Sequence, residues 1–358
     1  MKIVITGNYG AGNIGDEMIL EGLMNAINNS TKDAKITVLR GDEKFPSGPR
    51  SLIKSLFKSE RKTKKLVKEC DYFILGGGGL FGSLTLKANI IWGVQALMAY
   101  FYKKPVIMYG QSVGELKGKF RKWLVKYIFQ KAKLITVRDQ ESKRRLKLLG
   151  ITKKIHVIPD LAFNISYKPN KRSRKSIILA LRQHPGIKKK FITTIAKYLN
   201  WIIEEKNYDV DIINFQEPPS KDADEILHEK VIEEIRNKSK VKIIPTPDNT
   251  KQLFDVISNS SLLLGMRLHS IISAIKAEKP FLALSYAPKV KDMLNYAGLE
   301  LYMLDAEKIE SYIQLTKTTE SILRKAEKIK KDLEETNKLF LEKHREFEKN
   351  ILSKIFST

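Results

Sequence analysis

Short runs of β-branched and aliphatic residues alternate with amphipathic stretches along the chain, and this alternation restricts the fold more than any other sequence feature. It is typical of βαβ units, in which each strand of a parallel sheet is followed by a helix that packs on the sheet. In the first half we predict strands at 2–6, 35–39, 72–75, 106–109, 134–137 and 156–158. In the second half we predict strands at 176–181, 210–214, 241–244, 261–264 and 281–285.

The chain divides naturally in the middle. Its 358 residues exceed the size at which a single hydrophobic core usually stops growing. Residues 166–175 contain Pro169 and five Lys or Arg residues but no apolar periodicity, which is typical of an exposed linker. We therefore predict an α/β fold with Rossmann-like, doubly wound domains at 1–165 and 176–316.

The last part of the chain, 317–358, carries a different pattern. Apolar residues recur every seven positions at Ala326, Leu333, Phe340 and Phe347, which predicts a helical tail. We expect this tail to pack on the domains, where it could cross back over the first. A short coiled coil is the alternative interpretation.

The composition favours an anionic partner. A net charge of +25 attracts anionic substrates or an acidic membrane face. No helix-turn-helix, zinc-finger or RNA-recognition signature is visible, so nucleic acid is not the expected partner. The single cysteine, Cys70, excludes an intramolecular disulfide. Without a signal-peptide pattern or an apolar run of about 20 residues, we expect a cytoplasmic protein, at most peripheral to the membrane.

A glycine-rich loop follows the first predicted strand. Gly10, Gly12 and Gly15 match the G-x-G-x-x-G pattern of dinucleotide-binding loops, and a helix is predicted from residue 18. Asp16 and Glu17 would repel a pyrophosphate, which argues against NAD. The second predicted strand ends at Arg40, where an NAD enzyme normally carries an acidic residue and an NADP enzyme need not, so an NADP enzyme stays open. The alternative is a tight strand-to-helix turn whose glycines permit positive φ.

Further candidate residues follow other predicted strands of the first half. The run 76–79 contains Gly77 and Gly78, which either admit a ligand to the backbone or only allow close packing. The segment 110–114 is predicted to place Gln111 at the same sheet edge, where α/β folds bind ligands. Arg138 is either a phosphate clamp or a partner of a neighbouring acid, Asp139 or Glu141.

Two positions complete the first set of candidates. Asp160 leaves the last strand of the first half, where it either orients a sugar hydroxyl or caps the next turn. Arg182 follows the first strand of the second half and is expected either to contact an anion or to form an interdomain salt bridge.

The segment 264–270 is the most informative. A buried strand turns through glycine into a helix that carries Arg267 and His269 near its start. A helix N-terminus with an adjacent arginine and histidine can bind phosphate and donate a proton near neutral pH. Lys289, about one helix later, adds a further cation.

With these motifs in order from residue 3 to about residue 290, the sequence resembles the polysaccharide pyruvyl transferase family. Those enzymes place ketal-linked pyruvate on cell-wall and capsular sugars. Their fold is similar to that of GT-B glycosyltransferases, with two Rossmann-like domains facing one cleft. The resemblance therefore implies phosphoenolpyruvate as the donor and a lipid-linked saccharide, at an anionic inner membrane face, as the acceptor.

The resemblance also assigns roles. His269 is expected to protonate the donor, with no cofactor and no metal required. The donor-binding residues are expected to be Arg138, Arg182, Arg267 and Lys289. The loop or acceptor-binding residues are expected to be Gly10, Asn13, Asp16, Gly77, Gly78, Gln111 and Asp160.

Two positions depart from the family pattern, because Gly82 and Ala287 stand where acidic residues are expected. Three other functions stay open at this point. One is a nucleotide-sugar glycosyltransferase on the same fold, and another is an NADP oxidoreductase built on the glycine loop. The third is a non-catalytic sugar-binding or membrane-binding protein.

Overall fold

A computed structural model describes residues 1–40, 62–82, 86–169, 174–184, 186–217 and 223–357. The chain forms two units, each built on its own parallel sheet. The first unit comprises Met1–Ala11, Asp16–Ile165 and Leu341–Thr358, and the second comprises Gly12–Gly15 and Ser166–Phe340. The predicted α/β class with two parallel sheets is confirmed.

The first unit contains seven strands among the described residues. They are β1 Lys2–Thr6, β2 Lys35–Leu39, β3 Tyr72–Leu75, β4 Gly78–Phe81, β5 Val106–Val113, β6 Leu134–Val137 and β7 His156–Val157. The strand order is β2-β1-β3-β5-β6-β7, and β4 pairs with β5. The central strand β3 reads YFIL and is buried throughout, as expected for a parallel sheet covered on both faces.

The helices of the first unit lie between these strands. They are α1 Ile14–Ser30, α2 at 62–69, α3 Leu86–Phe101, α4 Lys119–Lys131 and α5 Gln140–Leu148, with a 3₁₀ turn at Leu161–Asn164. The helix predicted from residue 18 therefore begins earlier, and Gly15 lies in its first turn.

One prediction about the first sheet is wrong, and one of its strands was not predicted. The strand predicted to end at 109 continues to Val113, and its register shifts between Met108 and Gln111, where Gly110 has a φ of 66°. Gln111 consequently lies inside β5 and is fully buried, not in an edge loop. The short strand β4 was not predicted, because its sequence GGLF lacks the β-branched residues that mark a strand.

The second unit has a six-stranded sheet. Its strands are β8 Ser176–Ala180, β9 Asp209–Ile213, β10 Val241–Ile244, β11 Leu262–Gly265, β12 Phe281–Ser285 and β13 Met303–Asp305. The order β10-β9-β8-β11-β12-β13 is that of a Rossmann sheet, and the direction of winding reverses between β8 and β11. The edge strand β13 was not predicted because it has only three residues.

The helices of the second unit follow the same alternation. They are α6 Lys189–Glu204, α7 Glu225–Glu233, α8 Thr250–Ser258, α9 Leu268–Lys276, α10 Pro288–Ala297 and α11 Tyr312–Arg324. Short 3₁₀ turns lie at Lys238–Lys240, Glu300–Tyr302 and Ala306–Lys308.

The predicted C-terminal helical tail is present. It comprises α12 Ala326–Phe347, a π turn at Glu348–Leu352 and α13 Ser353–Phe356. Its last residues, from Leu341 on, belong to the first unit, where the Phe347 ring meets the Tyr109 ring edge-on at 6.0 Å. The Tyr72 hydroxyl also donates to the Ile355 carbonyl at 2.5 Å. Across the described ranges, no helix combines the length and apolarity that a membrane span requires.

Candidate functional site

The polar residues of the second unit gather at the carboxyl edge of its sheet. Arg182 follows β8 and Arg267 follows β11, so the two arginines flank the point where the strand order reverses. Tyr286 follows β12 at the same edge. Ligands of doubly wound sheets bind in the crevice at this point, which makes the edge the candidate site of the unit.

Arg267 is held by a buried ion pair. Its Nε donates to both carboxylate oxygens of Asp224, at 2.9 and 2.7 Å, and its Nη2 donates to Oδ1 at 2.5 Å. The two side chains are only 7% and 0% exposed. Because Arg267 is also the N-cap residue of α9, the pair fixes the start of that helix.

Asp224 was not among the site residues predicted from the sequence. Its carboxylate also accepts the backbone N–H groups of Phe215 at 2.9 Å and Gln216 at 3.2 Å. Burial raises the pKa of Asp224, while the Arg267 guanidinium opposes that shift. One carboxylate therefore joins the turn after β9 to the first turn of α9. The only local sequence signal was its place at the N-cap of α7.

The glycine loop belongs to the second unit through contacts with this same turn. The Ile14 N–H donates to the Phe215 carbonyl at 3.1 Å, and the Asn13 Nδ2 donates to the Gln216 Oε1 at 3.0 Å. The Gly12 carbonyl accepts from the Glu217 N–H at 3.0 Å. Asn13, predicted as a site residue, thus orders the loop against the turn that Asp224 holds.

The ring of His269 packs directly on Gly15. A Cβ atom placed on Gly15 would lie 2.2 Å from His269 Nδ1 and 2.6 Å from Cγ. The Gly15 N–H is itself fixed, because it donates to the Asn13 Oδ1 at 2.9 Å. Residues 12–15, which include the start of α1, therefore set the position of the imidazole in the first turn of α9.

Arg182 lies beside Tyr286. Its Nη1 donates to the tyrosine hydroxyl at 2.8 Å, and the guanidinium carbon is 5.5 Å from the ring centroid. Burial raises the pKa of Tyr286, and the Arg182 charge acts in the opposite direction. Lys289 lies in the first turn of α10, which starts two residues after Tyr286. The edge thus gathers two arginines, a lysine and a histidine.

In the first unit, Arg138 pairs with Asp160. Arg138 Nη1 and Asp160 Oδ2 are 2.7 Å apart, and the side chains are 7% and 2% exposed. Asp160 Oδ1 also accepts the Ala162 N–H at 3.0 Å, so this residue does cap the next turn. The expected alternative partners of Arg138 were wrong, because Asp139 caps α5 and Glu141 pairs with arginines of the same helix. The roles of Arg138 and Asp160 towards substrate stay predictions.

The remaining first-unit candidates are tightly packed or hydrogen-bonded. The Gly10 N–H donates to Glu17 Oε1 at 2.7 Å, and Asp16 Oδ2 accepts from Asn8 Nδ2 at 2.7 Å. A Cβ on Gly77 would lie 2.9 Å from Ile19 Cγ2, so this glycine allows close packing. Gly78 has a φ of 103°, a conformation that favours glycine.

Gln111 binds backbone inside the sheet. Its Nε2 donates to the carbonyls of Leu75 at 2.9 Å and Gly76 at 2.5 Å. This amide therefore ties β5 to the glycine run that follows β3.

One departure from the family pattern has a local cause. Gly82 has a φ of 148°, and a Cβ there would lie 2.6 Å from Cα and N of Gly114. An acidic side chain at this position would displace backbone. Ala287, the other departure, is the N-cap residue of α10. Nowhere in the described ranges do three or more His, Cys, Asp or Glu side chains form a group that could hold a metal ion.

Comparison with known proteins identifies relatives across most of the chain. A family model described as polysaccharide pyruvyl transferase matches residues 13–288. The amylovoran biosynthesis protein AmsJ of Erwinia amylovora is 23% identical over 376 residues, covering 86% of this chain and 89% of AmsJ.

Solved structures share the fold. The S. aureus MnaA–UDP co-structure has a TM-score of 0.61 at 14% identity, covering 94% of this chain and 91% of that one. The UDP-GlcNAc 2-epimerase of Methanocaldococcus jannaschii has a TM-score of 0.60 at 16% identity, covering 90% and 93%. E. coli ADP-heptose lps heptosyltransferase II has a TM-score of 0.51 at 14% identity, covering 91% and 100%. These likenesses confirm the GT-B-like fold class.

Proposed function

The chain belongs to the polysaccharide pyruvyl transferase family, and from this premise we propose that it transfers the pyruvyl group of phosphoenolpyruvate to a saccharide as a ketal. One observation carries the proposal. Arg267 and His269 begin the same helix at the switch point of the second sheet, and Asp224 and Gly15 hold them there. A cation and a proton donor are thereby fixed at a helix N-terminus, which is suited to an anionic substrate.

The donor would be bound by the cationic side chains and the helix N-terminus at this edge of the sheet. Asp224 neutralises Arg267, so that pair adds orientation but little net charge. Arg182, Lys289 and the N-terminus of α9 would add attraction for the phosphate and carboxylate of phosphoenolpyruvate. Because these groups can stabilise the developing charge, the proposed reaction needs neither a metal nor a cofactor.

His269 is the proposed proton donor. Transfer of its proton to the methylene carbon of phosphoenolpyruvate makes C2 electrophilic, and a sugar hydroxyl adds there and loses its own proton. The bond from C2 to the phosphate oxygen then breaks, and inorganic phosphate leaves. A second hydroxyl of the same sugar adds to C2 and loses its proton, which closes the ketal.

The acceptor is proposed to be a lipid-linked saccharide at the cytoplasmic face of the membrane. The relative AmsJ is named for amylovoran biosynthesis, which supports a role in building a saccharide product. Gly10, Asn13, Asp16, Gly77, Gly78 and Asp160 remain the proposed acceptor-side residues. The basic net charge of +25 would favour such an anionic acceptor.

Phosphate release from phosphoenolpyruvate, measured against a panel of lipid-linked disaccharides, tests the proposal. We expect release with at least one acceptor and a loss of about a hundredfold or more in His269→Ala, since general acid catalysis contributes about 10²–10⁴. Donor binding, measured as the rise in melting temperature with phosphoenolpyruvate, should persist in that variant.

The control is His156→Gln, which changes a half-buried histidine on β7 of the first unit. Unchanged turnover in His269→Ala would eliminate the proposed proton donor. A rise in melting temperature with UDP or GDP, and none with phosphoenolpyruvate, would favour a nucleotide-sugar glycosyltransferase instead.

A further inference from the structure

Helix α4 of the first unit exposes a row of stacked aromatic side chains. Phe120 is 55% exposed and Trp123 is 57% exposed, and Tyr127 continues the row one turn later. Adjacent ring centroids are 6.0 Å apart for Phe120 and Trp123, and 5.7 Å apart for Trp123 and Tyr127. Contiguous exposed apolar surface of this kind marks an interaction site.

A row of lysines runs beside the aromatic row. Lys119, Lys122 and Lys126 are exposed and each directly precedes one of the three aromatic residues. Their three- and four-residue spacing keeps them on one side of the helix. Lys131 extends the surface, with its Nζ 4.7 Å from the Tyr127 ring centroid and 5.8 Å from that of Tyr100.

The C-terminal end of α3 also has exposed aromatic side chains with lysines nearby. Phe101, its last residue, is 79% exposed, and its ring lies 5.2 Å from that of Tyr102. Tyr102 lines an open hollow together with Lys64, Lys65, Lys68 and Glu69. Exposed rings and lysines therefore occur together on both helices.

We propose that these residues of α4 and the end of α3, the α4 surface, dock the protein on an anionic lipid bilayer. Tryptophan, tyrosine and phenylalanine side chains enter the headgroup region of a bilayer, and lysines beside them bind anionic lipids. The inference rests on the first unit alone and is independent of the proposed transfer reaction.

Two other partners fit the α4 surface less well. A second copy of the chain would bring the same lysine row and a further net charge of +25 against this one, so the charges would repel. Single-stranded nucleic acid stacks its bases on open ring faces. Here Phe120 and Tyr127 already stack on Trp123, so its ring is partnered within the helix.

Cosedimentation of the full-length chain with vesicles tests the proposal. Vesicles of phosphatidylcholine mixed with phosphatidylglycerol are compared with phosphatidylcholine alone. Phe120→Ser/Trp123→Ser should weaken binding to the anionic vesicles about tenfold or more, because the inserted rings are lost. Lys119→Glu/Lys122→Glu/Lys126→Glu should weaken it about a hundredfold, since each lysine near the surface contributes.

The matched controls make the same kinds of substitution in the second unit. Leu301→Ser/Ile313→Ser removes two exposed apolar side chains of the second unit, which are 82% and 49% exposed. Lys328→Glu/Lys331→Glu/Lys338→Glu makes the same charge change on exposed positions of α12. We expect each control to bind anionic vesicles at least tenfold more tightly than the matched α4 variant, with the far-UV circular dichroism of all four variants unchanged.

Equal losses in the controls and the α4 variants, or equal binding of the natural chain to both vesicle types, would overturn the proposal. So would an α4-dependent shift to a dimer in light scattering, or α4-dependent binding of single-stranded DNA without vesicle binding. The assay contains neither donor nor sugar acceptor. A failure of the proposed transfer reaction would therefore leave its outcome unchanged.

Discussion

The His269 ring packs against Gly15 so closely that no side chain would fit at position 15. The 2.2 Å that would separate a Gly15 Cβ from His269 Nδ1 is far below van der Waals contact. This close approach explains the third glycine of the G-x-G-x-x-G match, while Gly10 and Gly12 have φ values of 73° and 70°. The motif therefore shapes a loop that positions an imidazole, and no dinucleotide is needed to account for it.

Replacing Gly15 with alanine should disable the proposed proton transfer without removing any polar group. The new methyl group would push the His269 ring away, and small misplacements of a reacting group cost about a hundredfold in rate. Phosphate release from phosphoenolpyruvate measures the loss. The rise in melting temperature with the donor should be largely retained.

The control for this variant is Gly79→Ala. Gly79 has no atom within 4 Å of its added Cβ, so alanine fits there without displacing a neighbour. Gly79→Ala should keep natural turnover. If Gly15→Ala were equally active, the position of the His269 ring would not matter to the reaction.

The strands that carry the site could be predicted because their patterns are local. Buried parallel strands such as β8 and β11 are continuous aliphatic runs, and Arg182 and Arg267 follow them directly in the sequence. Placement at the carboxyl edge then follows from the parallel topology. To place the two arginines there, the prediction needed only the correct strand ends and the parallel direction of the strands.

The partners of these residues could not be predicted in the same way. Asp224 reaches Arg267 across 43 residues of sequence, and no periodicity marks such a pair. Gln111 looked like a loop residue because Gly110 precedes it, yet β5 continues through a register shift at that glycine. Long-range hydrogen bonds determine where Asp224 and Gln111 lie, whereas sequence patterns report only short-range order.

Breaking the Arg267–Asp224 pair should destabilise the protein more than removing both charges. Arg267→Ala leaves a buried carboxylate without its ion-pair partner, which costs about 3–5 kcal/mol of unfolding free energy. It should also weaken donor binding. Arg267→Gln/Asp224→Asn replaces the pair with neutral hydrogen-bonding groups and should recover most of the stability.

Urea unfolding and donor-induced shifts in melting temperature separate these two effects. Recovered stability without recovered phosphoenolpyruvate binding would assign Arg267 to the donor site. If the double variant bound the donor as tightly as the natural chain, Arg267 would have a structural role only.

His228 should make the protein less stable in acid. Its Nε2 accepts the Leu181 N–H at 3.0 Å, its Nδ1 contacts Asn214 Oδ1 at 2.7 Å, and burial, with Arg267 nearby, lowers its pKa to about 3. The unfolded chain takes up this proton near pH 6.5, whereas the folded chain does not. Stability should therefore fall by about 1.4 kcal/mol per pH unit below pH 6.5, until the pH approaches 3.

Urea unfolding between pH 7 and about pH 4.5 measures this slope, and His228→Gln supplies the comparison. Glutamine keeps hydrogen-bonding capacity but does not titrate. As the pH falls, the unfolding free energy of the natural chain should decrease more steeply than that of the variant, by about 1.4 kcal/mol per pH unit. Parallel slopes would show that His228 takes up its proton equally in the folded and unfolded chains.

Tyr9 and Gly76 should show strongly coupled effects on stability. The Tyr9 hydroxyl is buried without a hydrogen-bond partner in the described part of the chain, and a Cβ on Gly76 would lie 1.9 Å from it. Gly76→Ala alone should cost about 1–3 kcal/mol through overpacking. Tyr9→Phe alone should be neutral or stabilising, because it removes an unsatisfied buried hydroxyl.

The double variant Tyr9→Phe/Gly76→Ala distinguishes a steric effect from a backbone effect. Phenylalanine lacks the oxygen that the new methyl group would meet, so the double variant should recover at least about 1 kcal/mol of the loss in Gly76→Ala. Urea unfolding of all four proteins completes the cycle. Additive changes in the free energy of unfolding would mean that the backbone conformation at position 76 requires glycine. The Tyr9 hydroxyl would then not determine which residue can follow β3.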